Sequence, residues 1–256
     1  GCLEGNVPKD IRRRGKYLVW EFAGPGGATN GLVIHLGMSG RCGVTTAAQP
    51  RVAQIVQALA VVGKGGVDAW TATLTDLAGR LSASAESSAN AGNRLSARDC
   101  YLRASTYLDL AGWPLYGSPV DDRLKKTAAQ SDDAFAKAMA LTDHHSEFLE
   151  IELDGLAMPA WFFSPDSSGK ARRTIIHTNG YDSNVHEMYF AQALPALARG
   201  WNVLLFDGPG QGRCLIRDGS SIRPDWENVV APVLDTAVAR TDVRKDAVVL
   251  GGWSFG

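Results

Sequence analysis

No run of about 18 apolar residues occurs in this chain, so no membrane-crossing helix is expected. The opening residues, Gly1-Cys2-Leu3-Glu4, lack the basic-then-apolar pattern of a secretory leader. Cysteine is scarce: Cys2, Cys42, Cys100 and Cys214 lie far apart and none forms C-x-x-C. That spacing argues against a zinc finger or a disulfide framework and makes a reducing cytoplasm the default location. Neither sign of charge dominates. A net charge of −1 gives the chain as a whole no reason to seek nucleic acid or an acidic membrane surface. No internal repeat is visible, only the Ser/Ala run around Ser82–Ala91 is low in complexity, and nothing implies a metal or an organic cofactor.

What is present is an ordinary soluble composition. Apolar residues make up 45% and charged residues 21% of 256, enough for a sizeable core in one large domain or two small ones. The charge is unevenly placed. Residues 1–41 carry six Lys/Arg against three acids, a net of +3, and the remainder carries −4. That shift suggests two segments of different origin.

The first segment reads as two strands, Lys16–Phe22 and Leu32–Leu36, around the glycine-rich loop Gly24–Gly31. Two strands alone are marginal in water and need something to pack on. The middle of the chain reads as helices. Val52, Ile55, Val56, Leu59 and Val62 recur at helical spacing, and after a Lys64-Gly65-Gly66 break so do Val67, Trp70, Leu74, Leu77 and Leu81. Ser96-Ala-Arg-Asp99 reads as a capping box opening a helix that carries Tyr101, Leu102 and Leu108. Ser131, followed by Asp132 and Asp133, reads as the start of another that carries Phe135 and Met139. The last third alternates strand and helix. Glu147–Leu153 and Ala157–Phe163 flank an Asp154-Gly155 hairpin signal, and Thr174–His177 is a further strand. A helix over Val185–Ala198 should bury Met188, Phe190, Leu194 and Leu197. Then come a strand at Asn202–Phe206, a helix at Trp226–Arg240 and a strand at Ala247–Leu250. A hairpin followed by βαβαβ implies an α/β class with a mostly parallel sheet between helices.

The chain ends Gly252-Trp253-Ser254-Phe255-Gly256, a G-x-S-x-G straight after a strand. Small residues two before and two after let the backbone turn tightly and lift the serine hydroxyl above the sheet. The Phe255 N–H then points where an oxyanion would form. A second loop, His177-Thr-Asn-Gly-Tyr-Asp182, follows the Thr174–His177 strand and offers the Tyr181 N–H as the other donor. His177 and Gly180 can equally be a strand end and a turn. Asp207-Gly-Pro-Gly-Gln-Gly212 follows another strand. It matches no phosphate-binding spacing, and a structural turn is the better reading, with Asp207 a poor triad acid because it precedes the serine.

Residues of about 67–256 resemble the α/β-hydrolases related to dipeptidyl aminopeptidase and acylaminoacyl-peptidase, including the 2,6-dihydropseudooxynicotine hydrolase group. The resemblance rests on S-A-R-D-C-Y-L-R at Ser96–Arg103, N-G-Y-D-S at Asn179–Ser183, H-E-M-Y at His186–Tyr189, F-D-G-P-G-Q-G at Phe206–Gly212, and G-W-S-F-G. It implies hydrolysis of an ester, amide or activated C–C bond in a small-molecule or peptide-like substrate, with Ser254 as nucleophile and Phe255 and Tyr181 as oxyanion-hole residues. The family's acid and histidine follow the serine in chain order, and this chain stops two residues after it. Neither His177 nor His186 is the family's base. The chain as given is therefore expected to be close to inert, and Ala247–Leu250 to become an apolar sheet edge that promotes association.

Residues of about 11–41 resemble a different family, formamidopyrimidine-DNA glycosylase, through R-R-R-G-K-Y-L at Arg12–Leu18 and I-H-L-G-M-S-G at Ile34–Gly40. The resemblance implies that Lys16 would contact a DNA backbone and Met38 would fill the gap left by a flipped base. The alternative is a basic, solvated hairpin with Met38 buried. The family's N-terminal proline nucleophile and adjacent glutamate are absent, as are its helix-two-turn-helix and zinc finger, which leaves at most weak, salt-sensitive nucleic-acid contact. The expected organisation is a glycosylase-like β segment over 1–45, a helical cap over 46–145 and a partial α/β-hydrolase domain over 146–256. A chimeric or frame-disrupted join is expected near Arg41–Arg51.

Overall fold

The structure, a computed structural model, describes the backbone of four strands between Val7 and Thr45, the residue Val62, and residues 65–256. The chain divides into two compact units, Gly1–Trp70 and Thr71–Gly256.

In the first unit β1 (Val7–Arg14), β2 (Tyr17–Ala23), β3 (Thr29–His35) and β4 (Cys42–Thr45) form an antiparallel meander in chain order. Tyr17 pairs with His35 and Ala23 with Thr29, so the two strands expected from the sequence are β2 and β3. Two further strands flank them. β1 was hidden by its charges (Asp10, Arg12, Arg13, Arg14) and β4 by being four residues long. The helix expected over Val52–Val62 lies, apart from Val62, outside the described residues.

Three helices come next: α1 (Gly66–Asn90), within which the second unit begins, α2 (Arg94–Gly112) and α3 (Asp122–Met139). The α1 stripe is buried at Leu74, Leu77 and Leu81, whereas Val67 at its start is exposed. Two expected helix starts are corrected. α2 opens at Arg94 with Asn93 as N-cap, before Ser96 and without a side-chain cap bond. α3 opens nine residues before Ser131, where the Asp121 carboxylate accepts a hydrogen bond from the Arg123 N–H at 2.8 Å. That cap satisfies an otherwise orphaned helix N–H and takes precedence over Ser131. Ser131 instead lies mid-helix, fully buried, its hydroxyl donating to the Ser105 carbonyl of α2.

Five strands follow: β5 (His145–Leu153), β6 (Leu156–Ser164), β7 (Arg172–Thr178), β8 (Asn202–Phe206) and β9 (Val243–Gly252). Their order is β5-β6-β8-β7-β9. The β5–β6 hairpin turns at Asp154 and Gly155, whose φ values of 52° and 84° are the paired left-handed conformations a tight two-residue hairpin needs. β6 meets β8 antiparallel, and β8, β7 and β9 are parallel. Strand alternation serves two cores. Trp161, Phe163, Val203 and Leu205 pack with Phe135 of α3 and with Met188, while Phe162, Leu204, Phe206 and Ile176 pack with Val229 and Val233 of a later helix.

The crossover from β7 to β8 is helical but not one regular helix. α4 (Val185–Met188) passes through a π turn (Tyr189–Ala193) into α5 (Leu194–Leu197). The extra residue shifts the buried face to Met188, Tyr189, Ala193 and Leu197, so Phe190 and Leu194, expected inside, are exposed. α6 (Gly212–Asp218) and α7 (Trp226–Ala239) carry the chain to β9. β9 is last in the strand order and exposes Val249 and Leu250.

Candidate active site

Two loops at the carboxyl ends of β7 and β9 come together. The Trp253 N–H donates to the Thr178 carbonyl at 3.1 Å, and the Gly256 N–H donates to Trp253 at 3.0 Å. A side chain at Gly252 would overlap the Gly256 carbonyl, and one at Gly256 would overlap the Thr178 and Asn179 carbonyls. Those approaches are the local reason for glycine at both ends of G-x-S-x-G. Between them Ser254 has φ 58°. Among the described residues, only Asp154 in its hairpin shares a positive φ without being glycine. A left-handed serine costs about 1–2 kcal/mol, a strain that functional turns commonly hold. Ser254 is exposed, and a Cβ placed on Gly180 would lie 3.1 Å from its Cβ. The structure thus sets Ser254 and Phe255 beside the loop that carries Tyr181, with Tyr181 and Phe255 both exposed. Lys16 and Met38 lie outside the described residues.

The Tyr181 loop is held from below. Asp207, buried at the end of β8, accepts from the Asn179 side-chain amide at 2.5 Å, the Val185 N–H at 3.0 Å and the Arg213 N–H at 2.9 Å. Burial pushes its pKa up, but those N–H groups can only donate and Arg213 is cationic, so the site binds the carboxylate. Gln211 adds a bond from its amide to the Asn179 carbonyl at 2.6 Å. The Asp207–Gly212 segment is therefore a structural turn that ties three loops together. His177, at the end of β7, is buried with neither ring nitrogen partnered, and burial lowers its pKa.

A buried polar cluster joins the helices to the sheet, and no linear motif announced it. Arg213 Nη2 donates to Asp109 at 2.9 Å and Nε to Asp132 at 2.6 Å. His186 Nδ1 lies 3.2 Å from Asp109 and 3.1 Å from Ser131 Oγ, with its ring stacked on Phe135 at 4.2 Å. Burial would raise the Asp109 pKa, but the charge and hydrogen bonds of Arg213 and His186 overcome it and hold the carboxyl well below the usual range. Ser131, His186 and Asp109 superficially resemble a triad. However, serine and acid meet the same ring nitrogen and the serine is sealed from solvent, whereas a working triad needs opposite nitrogens and an accessible hydroxyl. Among the described histidines, His144 and His145 are engaged near β5, His186 in this cluster, and His177 with nothing. None is bonded to Ser254. Among the described residues no His/Cys/Asp/Glu group of three could hold a metal ion, and no helix is long and apolar enough to cross a membrane.

This sheet order, with its strained serine turn after the fifth strand, is that of the α/β-hydrolase fold. Comparison with known proteins agrees. The chain is 33% identical over 218 residues to the α/β hydrolase psoB of Aspergillus fumigatus, covering 80% of this chain and 49% of that protein. It is 34% identical over 190 residues to the 20-hydroxy-prefusarin hydrolase FUS2 of Gibberella moniliformis, covering 72% and 45%. Among solved structures, 2,6-dihydroxy-pseudo-oxynicotine hydrolase matches with a TM-score of 0.67 at 26% identity, over 78% of this chain and 54% of that one. The chain spans about half the length of the curated relatives it matches. Residues 2–76 match the formamidopyrimidine-DNA glycosylase N-terminal domain, so the second resemblance extends beyond residues 11–41.

Proposed function

We propose that residues 67–256 are the nucleophile-bearing part of a serine hydrolase that cleaves an ester, amide or activated C–C bond in a small-molecule or peptide-like substrate. Ser254 is the nucleophile, and the Phe255 and Tyr181 N–H groups receive the developing oxyanion. The observation that carries the reading is the left-handed Ser254, exposed on a glycine-flanked turn against the Gly180 loop. The relatives' names as hydrolases support it. None of the described histidines is bonded to Ser254, so none of them is placed to activate its hydroxyl, and we read the 256-residue chain by itself as close to inert. The free thiols of Cys100 and Cys214 suit a reducing cytoplasm. The division into 1–45, 46–145 and 146–256 is read as ancestry, with the first part joined from a glycosylase.

The test begins with the intact mass of the native product that carries the Thr174–Gly212 sequence, followed by p-nitrophenyl ester hydrolysis by that product. A product larger than this chain whose turnover is lost in Ser254→Ala is the expected result. Turnover that survives Ser254→Ala would remove Ser254 from the mechanism, and Ser254-dependent turnover by the 256-residue chain alone would overturn its inertness. The second reading, weak DNA contact through Lys16 and Met38, has the match of residues 2–76 as its one supporting observation. That role predicts duplex binding that falls steeply with salt and weakens in Lys16→Ala. Binding indifferent to both would exclude it.

A further inference from the structure

A cavity of about 630 Å³ lies between α3 and the β5–β6 hairpin, inside the second unit. Its lining includes none of Ser254, Phe255 or Tyr181. One wall is a row of small side chains on α3, Ala128, Ala129 and Ala136, spaced so that they share a face of the helix. The strands contribute aromatic surface. Phe148 and Trp161 line the cavity with ring centroids 5.5 Å apart, and Pro159 adds to that surface. Val185 and Ile216 close the slot with further apolar surface.

The charges around the cavity decide what it would take. Lys125, Arg213 and Arg217 are matched in number by Asp132, Asp133 and Asp207. Each is engaged by a protein partner: Lys125 with Asp122, Asp133 with Lys137, Arg217 with Asp218 and Glu150, Arg213 with Asp109 and Asp132, and Asp207 with three N–H donors. No excess charge remains to recruit an ion. An apolar cavity of this size has the dimensions and character of a small-molecule site, and its Trp161 and Phe148 rings, set edge-to-face at 64°, favour an aromatic guest that stacks on one and meets the edge of the other.

We propose that this slot is a second binding site, one that takes a flat, uncharged aromatic molecule. The test uses the whole 256-residue chain with two uncharged probes. N-phenyl-1-naphthylamine fluorescence is titrated against wild type, Ala129→Trp, Ala136→Trp and Leu250→Ser. Ala129 and Ala136 face the slot rather than the core, so filling them leaves the packing behind α3 in place. Saturable binding is expected that weakens about tenfold or more in both filled variants and is unchanged in Leu250→Ser. Wild-type affinity in both filled variants, or a signal lost with Leu250, would overturn the site in favour of the exposed β9 edge. Should the filled variants melt early, benzophenone photolabelling of the wild type gives the same decision. Adducts in the peptides carrying Ala128–Ala136 or Phe148–Trp161 support the site, and adducts confined elsewhere reject it. This outcome is independent of whether Ser254 is a nucleophile.

Discussion

Replacing Arg213 with methionine should expose how the helices are fastened to the sheet. The guanidinium is buried between Asp109 and Asp132, and Met roughly matches the length of its aliphatic stem while removing every N–H donor. Asp132 is half exposed and can turn to water, so its loss counts for little. The Asp109 side chain is only 20% exposed and would keep His186 alone. Stranding a buried carboxylate costs about 3–5 kcal/mol, and that is the expected loss. The assay is urea unfolding followed by tryptophan fluorescence, in a Leu250→Lys background that discourages edge pairing. The pH dependence gives a second handle. In the wild type Asp109 titrates below its ordinary 3.8, so its contribution is present above that value and is lost as pH falls below it. Without Arg213 the strongest influence that lowers the Asp109 pKa is gone, so the pKa moves up and the variant's penalty is largest at neutral pH and shrinks on acidification. The deficit relative to wild type should therefore narrow as the pH is lowered. A loss below about 1 kcal/mol, or a deficit that does not narrow, would refute the assignment of Arg213 as the partner that keeps Asp109 charged.

Three further outcomes follow from the same geometry. Asp207→Ala leaves the Asn179 amide and the Val185 and Arg213 N–H groups without their acceptor, and should cost about 3 kcal/mol or more in the same unfolding assay. His177 titrates below its ordinary 6.5 because of burial. Stability should fall as pH drops from 6.5 toward that lowered value, by about 1.4 kcal/mol per pH unit at most for this group, and His177→Leu should flatten the slope, leaving the share due to His144, whose pKa burial also lowers. Val249→Lys with Leu250→Lys should shift the 256-residue chain toward monomer in sedimentation velocity, because exposed apolar edge strands pair. An unchanged distribution would place the contact elsewhere.

The parts legible from sequence were those written in local chemistry. Asp154-Gly155 announces its hairpin because only residues tolerant of positive φ fit that turn. The G-x-S-x-G turn announces itself because both glycines touch backbone. What stayed hidden is non-local. Arg213, His186, Asp109 and Asp132 are up to 104 residues apart and meet only once the sheet brings α6 under α2 and α3. Ser131 misled because its capping preference is real, yet a bond to the Ser105 carbonyl lets it sit mid-helix. Phe190 and Leu194 misled for another reason, since regular 3.6-residue spacing does not anticipate a π turn.

That π turn has a consequence for how this segment tolerates change in length. A π turn is an α-helix carrying one residue too many, so Tyr189–Ala193 is a place where deletion of a single residue could leave unbroken helix behind. Everything after the deletion would rotate by about 100° relative to Met188, which at 3.6 residues per turn is the angle between neighbours. Leu197 would swing out of the core that it now shares with Val203 and Leu205, and a surface side chain would swing in. The surplus residue thus sets the phase of the crossover, and a sequence one residue shorter here would have to redistribute its apolar residues along α5 to fold the same way.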